Sequence, residues 1–493
     1  MDRTQQLQRL TDAELDFLII GGGASGAGAL LDAATRGYKV GLVDRQDFMS
    51  GTSSRSTKLV HGGVRYLEQA VKTLDWSMLQ LVHEALRERQ TMINMAPHLA
   101  QPISMVTPLK SRWQWPYLRT GLGMYDALAG KRSIGKTTTI SEAQLQASCP
   151  ALKQNFPIAV KYWDGQFDDA RFGIAMLRTA VNKGGLALNH CNILSIKRNQ
   201  HGYRVSLQER FSEKKFALQC KGIINCTGPW TDEIREQVRP DRHGIMKTSG
   251  GAHIVVSPKR VPLQHAVLIP KTEDGRVLFM IPWYQQILIG TTDTLDPLSD
   301  NPQASDDDIK YLISEANKWL QQPINEKDVL ATFKGLRPLL DDLSSSTAKI
   351  SRDHQILVED RMLTLTGGKW TTWRSMAEDA LNQAAKMVDL PAMPCITDTL
   401  KLVGATDPNT APIPDIDTDI SNHLRQRYGS EAELVLQAGS HKRLFEHYPW
   451  IEAEFAWAME KEAAVTPEDI LERRLRMNTV DSKAYMEALN ILS

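Results

Sequence analysis

The sequence lacks the marks of several protein classes. Its five cysteines, Cys149, Cys191, Cys220, Cys226 and Cys395, form no C-x-x-C pair and no metal-ligand spacing. That excludes a cysteine-held metal centre and suits reduced, core-packed thiols in a cytoplasmic compartment. Neither sign of charge is in excess, with 58 Lys+Arg against 58 Asp+Glu. No global field therefore calls for nucleic acid, and any anion recognition has to come from local clusters. Residues 1–15 are polar without an apolar h-region, so no secretory signal is expected. The most apolar stretch, Leu15 to Leu31, is broken by five glycines and is no membrane span. Repeats and low-complexity tracts are missing too. What is present is 493 residues, 42% hydrophobic and 24% charged, an ordinary globular composition long enough for two or three domains.

The most informative stretch is Asp16 to Asp44. Phe17 to Ile20 is a short apolar run suited to a strand buried on both faces, and Gly21-x-Gly23-x-x-Gly26 leads at once into the helical Ala27 to Arg36. In such a unit the first glycine permits the tight turn. The second lets the backbone approach a pyrophosphate, and the third lets helix and strand pack closely. The helix N-terminus offers N–H groups and a positive dipole end to phosphate. A second strand, Val40 to Val43, ends at Asp44, eighteen residues after Gly26, where a ribose-binding acid belongs. Dinucleotide binding follows, with NAD and FAD both open; the competing reading is a glycine turn between packed elements.

Ser50 to Glu68 is crowded with hydroxyls, glycines and cations, and can present donors to phosphate or a flavin ring, with Lys58, His61 and Arg65 adding charge or proton-transfer capacity. Tyr66 to Met95 has helical apolar spacing. Pro108 to Lys136 interleaves six cations with Trp113, Trp115, Tyr117 and Tyr125, a mixture suited to a peripheral membrane surface and equally to a lid or subunit contact, so a homodimer stays open. From Ala159 to Lys221 the chain is expected to return to the nucleotide domain. Gly222 to Trp230 is a strand whose Thr-Gly end, at Gly228, brings a small turn close to a cofactor. Thr248 to Asp293 is strand-rich, predicting an antiparallel sheet inserted into a parallel domain. Arg337 precedes a proline and is held extended. Met362 to Thr366, then Gly367, Gly368 and Lys369, then the helical Thr371 to Met387, repeat the opening strand, turn and helix, and that helix N-terminus is suited to negative charge on a reduced flavin. Beyond Val388 a proline-bearing linker precedes helical patterns, and Thr466-Pro467-Glu468-Asp469 predicts a helix over Ile470 to Met477.

These motifs closely resemble the FAD-dependent glycerol-3-phosphate dehydrogenases of the aerobic, quinone-linked kind. The matching pieces are IIGGGASGAG at 19–28, SSRSTKLVHGGVRYLE at 53–68, INCTGPW at 224–230, IGTTD at 289–293, GLRPL at 335–339, SRD at 351–353, TGGKWTTWR at 366–374 and EDILERRLRM at 468–477. Ser351 stands where Thr is common, and Trp370 where a smaller apolar residue is usual. The resemblance implies an α/β fold of the glutathione-reductase/D-amino-acid-oxidase type. It has a Rossmann-like FAD-binding domain over 1–390, an antiparallel substrate sheet inserted over roughly 75–160 and 230–350, and a helical C-terminal domain over 391–493. FAD would lie along Gly21, Gly23, Gly26 and Asp44, with Thr52, Ser53, Ser54, Thr57 and Lys58 near pyrophosphate and ring, and Gly368 and Thr371 at the far edge. Arg65, Tyr66, Arg337, Arg352 and Lys369 would hold the phosphate and hydroxyls of glycerol 3-phosphate, a dianion that needs several convergent cations. His61 is the preferred base, because an unperturbed imidazole titrates at roughly 6.5. Arg337, always charged, would stabilise the developing alkoxide. With no second cofactor motif, a membrane quinone is the expected acceptor, from a protein on the inner face of the cytoplasmic membrane. The rivals are an oxygen-using glycerol-3-phosphate oxidase, an amine or amino-acid oxidase of the same fold, and a non-catalytic dinucleotide-binding module.

Overall fold

The computed structural model describes residues 1–63, 76–241, 243–340, 354–407 and 410–492. Short apolar runs buried on both faces make the centre of the first sheet: Glu14–Ile20 lies between Val40–Val43 and Lys215–Asn225, parallel to both. Leu186–Leu188 extends one side, and Met362–Gly367 with His354–Glu359 extends the other. Parallel strands need crossovers, and those helices cover the faces. Ala24–Thr35, Asp169–Asn182 and Trp373–Met387 pack on the sheet through Leu30, Phe172, Trp373 and Leu381. Gly28 sets the spacing between two of these helices, since a β-carbon there would lie 2.7 Å from the Trp373 ring.

The second sheet has ten strands and is antiparallel except where Ala266–Ile269 meets Ala100–Leu109. Its longest pairing joins Met246–Val256 to Val329–Leu340. Ile158–Phe167 belongs here and not to the nucleotide sheet as its position predicted. It pairs with Ala100–Leu109 along the whole length of both, Ala100 opposite Phe167 and Leu109 opposite Ile158. The return to the first sheet therefore comes at the helix Asp169–Asn182, capped by Asp168.

The C-terminal region folds around Leu424, Val435, Ile451 and Trp457, and around Leu471, Leu475 and Met477. The helix expected over Ile470 to Met477 is a π-type turn, Asp469–Arg474, after which Arg476 takes a left-handed backbone, φ 62°. Long-range ion pairs cause this: Arg473 and Arg474 both reach back to the buried Asp47. Arg171–Glu462 and Arg178–Glu431 complete the junction with the helix Asp169–Asn182. Gly28→Val is expected to push the two helices apart and destabilise the fold by roughly 1–3 kcal/mol, the usual range for overpacking, read as a lower melting temperature.

Candidate active site

The first glycine turn is shaped by contacts that only hydrogen tolerates. Gly21 has φ +103°, and a β-carbon on Gly26 would lie 1.8 Å from the Gly21 carbonyl oxygen, so a side chain there would lift the helix off the strand. Gly23 ends the turn without a side-chain cap of its own, and the Ala24 N–H at the helix start donates to Ser53 Oγ at 2.9 Å. Asp44 closes the turn from the second strand. Its carboxylate accepts from Gly22 N at 2.6 Å and from Gln46 N at 2.8 Å, and burial pushes its pKa up to about 6.

The hydroxyl-rich loop then crosses the turn. Thr52 Oγ1 donates to the Leu336 carbonyl, Ser53 O accepts from Trp370 Nε1 at 2.8 Å, and Thr57 Oγ1 is 3.0 Å from His253 Nε2. The larger Trp370 thus ties this loop to the second glycine turn while packing on Phe167. His61 is fixed through its backbone: its N–H donates to Thr371 Oγ1 at 3.3 Å. The next amide, Gly62, donates at 2.6 Å to Tyr125 Oη, which itself donates to the buried Asp164.

The opposite wall comes from the second sheet. Arg337 sits on Val329–Leu340 with its guanidinium 3.2 Å from Asp293 Oδ1, 3.1 Å from Thr291 Oγ1 and 3.1 Å from the Thr292 carbonyl. His253 faces it from the neighbouring strand. Burial, reinforced by the cations Lys58 and Arg337, holds its pKa well below the ordinary value, so it is neutral at pH 7. Gly367 and Gly368, both at φ +74°, carry the chain from the first sheet to Lys369 and the helix Trp373–Met387.

These walls enclose one cavity of about 1230 Å³. Of the residues singled out from the sequence, Gly21, Gly23, Asp44, Thr52, Ser53, Thr57, His61, Gly228, Arg337, Gly368, Lys369 and Thr371 all line it. Gly26 lies behind the turn, as its packing requires. Ser54 and Lys58, expected at pyrophosphate and ring, are turned away. Lys58 is fully buried on Asp169 at 2.6 Å, and its ammonium also donates to the Ser54 carbonyl at 2.7 Å. Arg65, Tyr66 and Arg352 lie outside the described residues. Sequence reasoning missed His253, Arg55 and Thr291. A lone histidine in an apolar strand carries no local signal; only its stacking on Phe333, at 4.7 Å, and its pairing with Thr57 mark it out.

The volume exceeds the roughly 300–1,000 Å³ of a site for one drug-sized ligand. Together with the side-chain-free turn at a helix N-terminus and the buried acid Asp44 that closes it, it fits FAD with room for a small substrate. Residues 16–372 match the family described as FAD dependent oxidoreductase, and residues 395–492 match the C-terminal domain of alpha-glycerophosphate oxidase. The fold and cavity are thus those of an FAD-dependent oxidoreductase. The mitochondrial glycerol-3-phosphate dehydrogenase of Rattus norvegicus is 38% identical over 517 residues, covering 99% of this chain and 71% of its own. That of Arabidopsis thaliana is 37% identical, covering 96% and 81%. A solved glycerol-3-phosphate dehydrogenase from Bacillus halodurans, complexed with FAD, superposes with a TM-score of 0.77 at 28% identity, covering 99% of this chain and 96% of that one. The chain belongs to the FAD-dependent glycerol-3-phosphate dehydrogenase family.

Because the Asp44 carboxyl is raised in the fold, its contribution to stability is fully present below its ordinary value of 3.8 and is lost as pH rises through about 6. Flavin-free protein is expected to lose melting temperature between about pH 4 and about pH 6.5, and Asp44→Asn to lose less. The same variant is expected to bind FAD about tenfold more weakly, as loss of a charged acceptor worth ~1.5 kcal/mol implies; a fluorescence titration reads this directly.

Proposed function

We propose that this protein oxidises sn-glycerol 3-phosphate to dihydroxyacetone phosphate and delivers the electrons to a membrane quinone. The observation that carries the reading is the meeting of His61, Arg337 and Lys369 at one cavity with the dinucleotide turn. FAD, which the turn at Gly21 and Gly23 and the loop carrying Ser53 and Thr57 would hold, would supply the two-electron acceptor for the C2 hydrogen of the substrate. His61, held by its own and the next backbone amide, takes the proton of the C2 hydroxyl. Arg337 stays charged at any working pH, and its hydrogen bonds to four oxygens fix it against reorientation, so it stabilises the alkoxide as it develops. Lys369 holds the substrate phosphate, with Arg65, Tyr66 and Arg352 completing the set in this reading. A neutral His253 adds no competing charge.

The helix Trp115–Ala129 supports the acceptor. It buries Leu122 and Tyr125 against the protein, Leu118 lines the cavity, and Tyr117 and the preceding Trp113 are 54% and 92% exposed. Apolar rings beside Lys110, Arg112 and Arg119 suit the anionic inner face of the cytoplasmic membrane. No helix among the described residues is long and apolar enough to cross a membrane, in keeping with peripheral contact.

His61→Asn is expected to slow anaerobic flavin reduction by glycerol 3-phosphate about 10²-fold or more while flavin content stays unchanged; reduction at the wild-type rate would remove His61 from the mechanism. Trp113→Ser with Tyr117→Ser is expected to lower sedimentation with anionic vesicles and the rate with a quinone, leaving the rate with a soluble dye intact. Peroxide forming as fast as the flavin is reduced would make the protein an oxidase instead.

A further inference from the structure

The loop carrying Thr52, Ser53 and Thr57 into the cavity has a second face, and that face is ionic. Ser54, Lys58 and Asp169 are buried there, with no more than 4% of any of them exposed. Asp169 Oδ2 accepts from Ser56 N at 3.0 Å, Ser56 Oγ at 2.7 Å and Lys58 Nζ at 2.6 Å. Its other oxygen accepts from Ala170 N at 2.8 Å and from Arg476 Nη2, also at 2.8 Å. The same Nη2 donates to the Ser54 carbonyl at 2.8 Å, and Arg476 Nε lies 3.3 Å from Asp168 Oδ1. Arg476 is 1% exposed and belongs to the helical C-terminal region. One guanidinium from the end of the chain therefore spans the backbone of the cofactor loop and the carboxylate that orders it.

We infer that Arg476 is a positioning residue for the flavin site. It acts through Ser54 and Asp169 to hold the loop 52–58 in the shape that presents Ser53 and Thr57 to the cofactor, and so makes the C-terminal region part of the active site. The planar fork matters. Lysine offers a single compact ammonium, which cannot reproduce the directed bonds to the Ser54 carbonyl and to Asp169 while also keeping positive charge 3.3 Å from Asp168. Without Arg476, among the described residues Asp169 keeps Lys58 as its one cationic partner, and the Ser54 carbonyl keeps the Lys58 ammonium as its one side-chain donor. The loop is then free to shift while the substrate wall on Val329–Leu340 keeps its own contacts.

The test compares purified holoenzymes of wild type, Arg476→Gln, Arg476→Lys and Arg443→Gln. The last removes ion pairs of the same C-terminal region to Asp417 and Asp419, at a partly exposed site. FAD dissociation constant, bound-flavin visible spectrum, kcat and KM for glycerol 3-phosphate are measured alongside melting temperature; the kinetic arm rests on the proposed substrate. Arg476→Gln is expected to weaken FAD binding at least tenfold, shift the flavin bands and lower kcat, with KM within threefold of wild type. Arg476→Lys is expected to weaken FAD binding about fivefold, and Arg443→Gln to leave it unchanged. If Arg476→Gln does not fold, the lysine variant decides. FAD affinity and spectrum within twofold of wild type in a folded Arg476 variant would overturn the inference, as would an equal loss in Arg443→Gln. Wild-type protein that holds FAD but is not reduced by glycerol 3-phosphate would overturn the substrate reading alone, since FAD affinity and spectrum do not depend on it.

Discussion

The structure depends on a close approach between two stretches of backbone. The helix Ala24–Thr35 starts so near the end of the first strand that the Gly21 carbonyl occupies the place of a side chain on Gly26. The approach sets the helix axis toward the space above the sheet, where a dinucleotide pyrophosphate belongs. It also brings the helix against Trp373 through Gly28, so the second glycine turn, at Gly367 and Gly368, opens onto the same space. One steric constraint therefore aligns two helix N-termini that lie about 350 residues apart in the chain.

Around that apolar frame the binding loops are fixed by buried charge. Asp169, Asp47 and Asp164 are each taken out of water and each answered by arginine or lysine, from residues as distant as Arg476, Arg474 and Arg89. Buried ion pairs add little net stability over apolar packing, but breaking one typically costs roughly 3–5 kcal/mol because the other charge is stranded. Such pairs are poor glue and good locators. Here they locate the loop 52–58, the junction with the C-terminal helices and, through Tyr125, the turn that carries His61.

The polarity of the site follows from these placements. Arg337 keeps its charge on a wall where His253 has been pushed neutral, so the two do not repel across the cavity. Asp44 closes the turn with a pKa raised by burial, its carboxylate accepting from the Gly22 and Gln46 amides. The helix Trp115–Ala129 joins this interior to the surface, with Leu118 on the cavity and Trp113 beyond its start in solvent.

Much of this was legible in the residue order because the signals are local. Apolar runs, glycine spacing and the acid after the second strand are all set within about 30 residues, and strands such as Val40–Val43 and Gln286–Gly290 fall where their patterns place them. Glycines, hydroxyls and cations of the site could be named because their chemistry is unambiguous. Their direction could not. Lys58 and Thr57 are neighbours in one loop, yet one turns to Asp169, 111 residues away, and the other to the cavity. Ile158–Phe167 has the pattern of a strand for either sheet, and its pairing with Ala100–Leu109 decides between them. His253 and Arg476 acquire meaning only from partners far off in the chain. Period and composition determine what an element is; which buried charge or strand edge it meets is a property of the folded whole, because the energy of a desolvated charge is set by its neighbours in space.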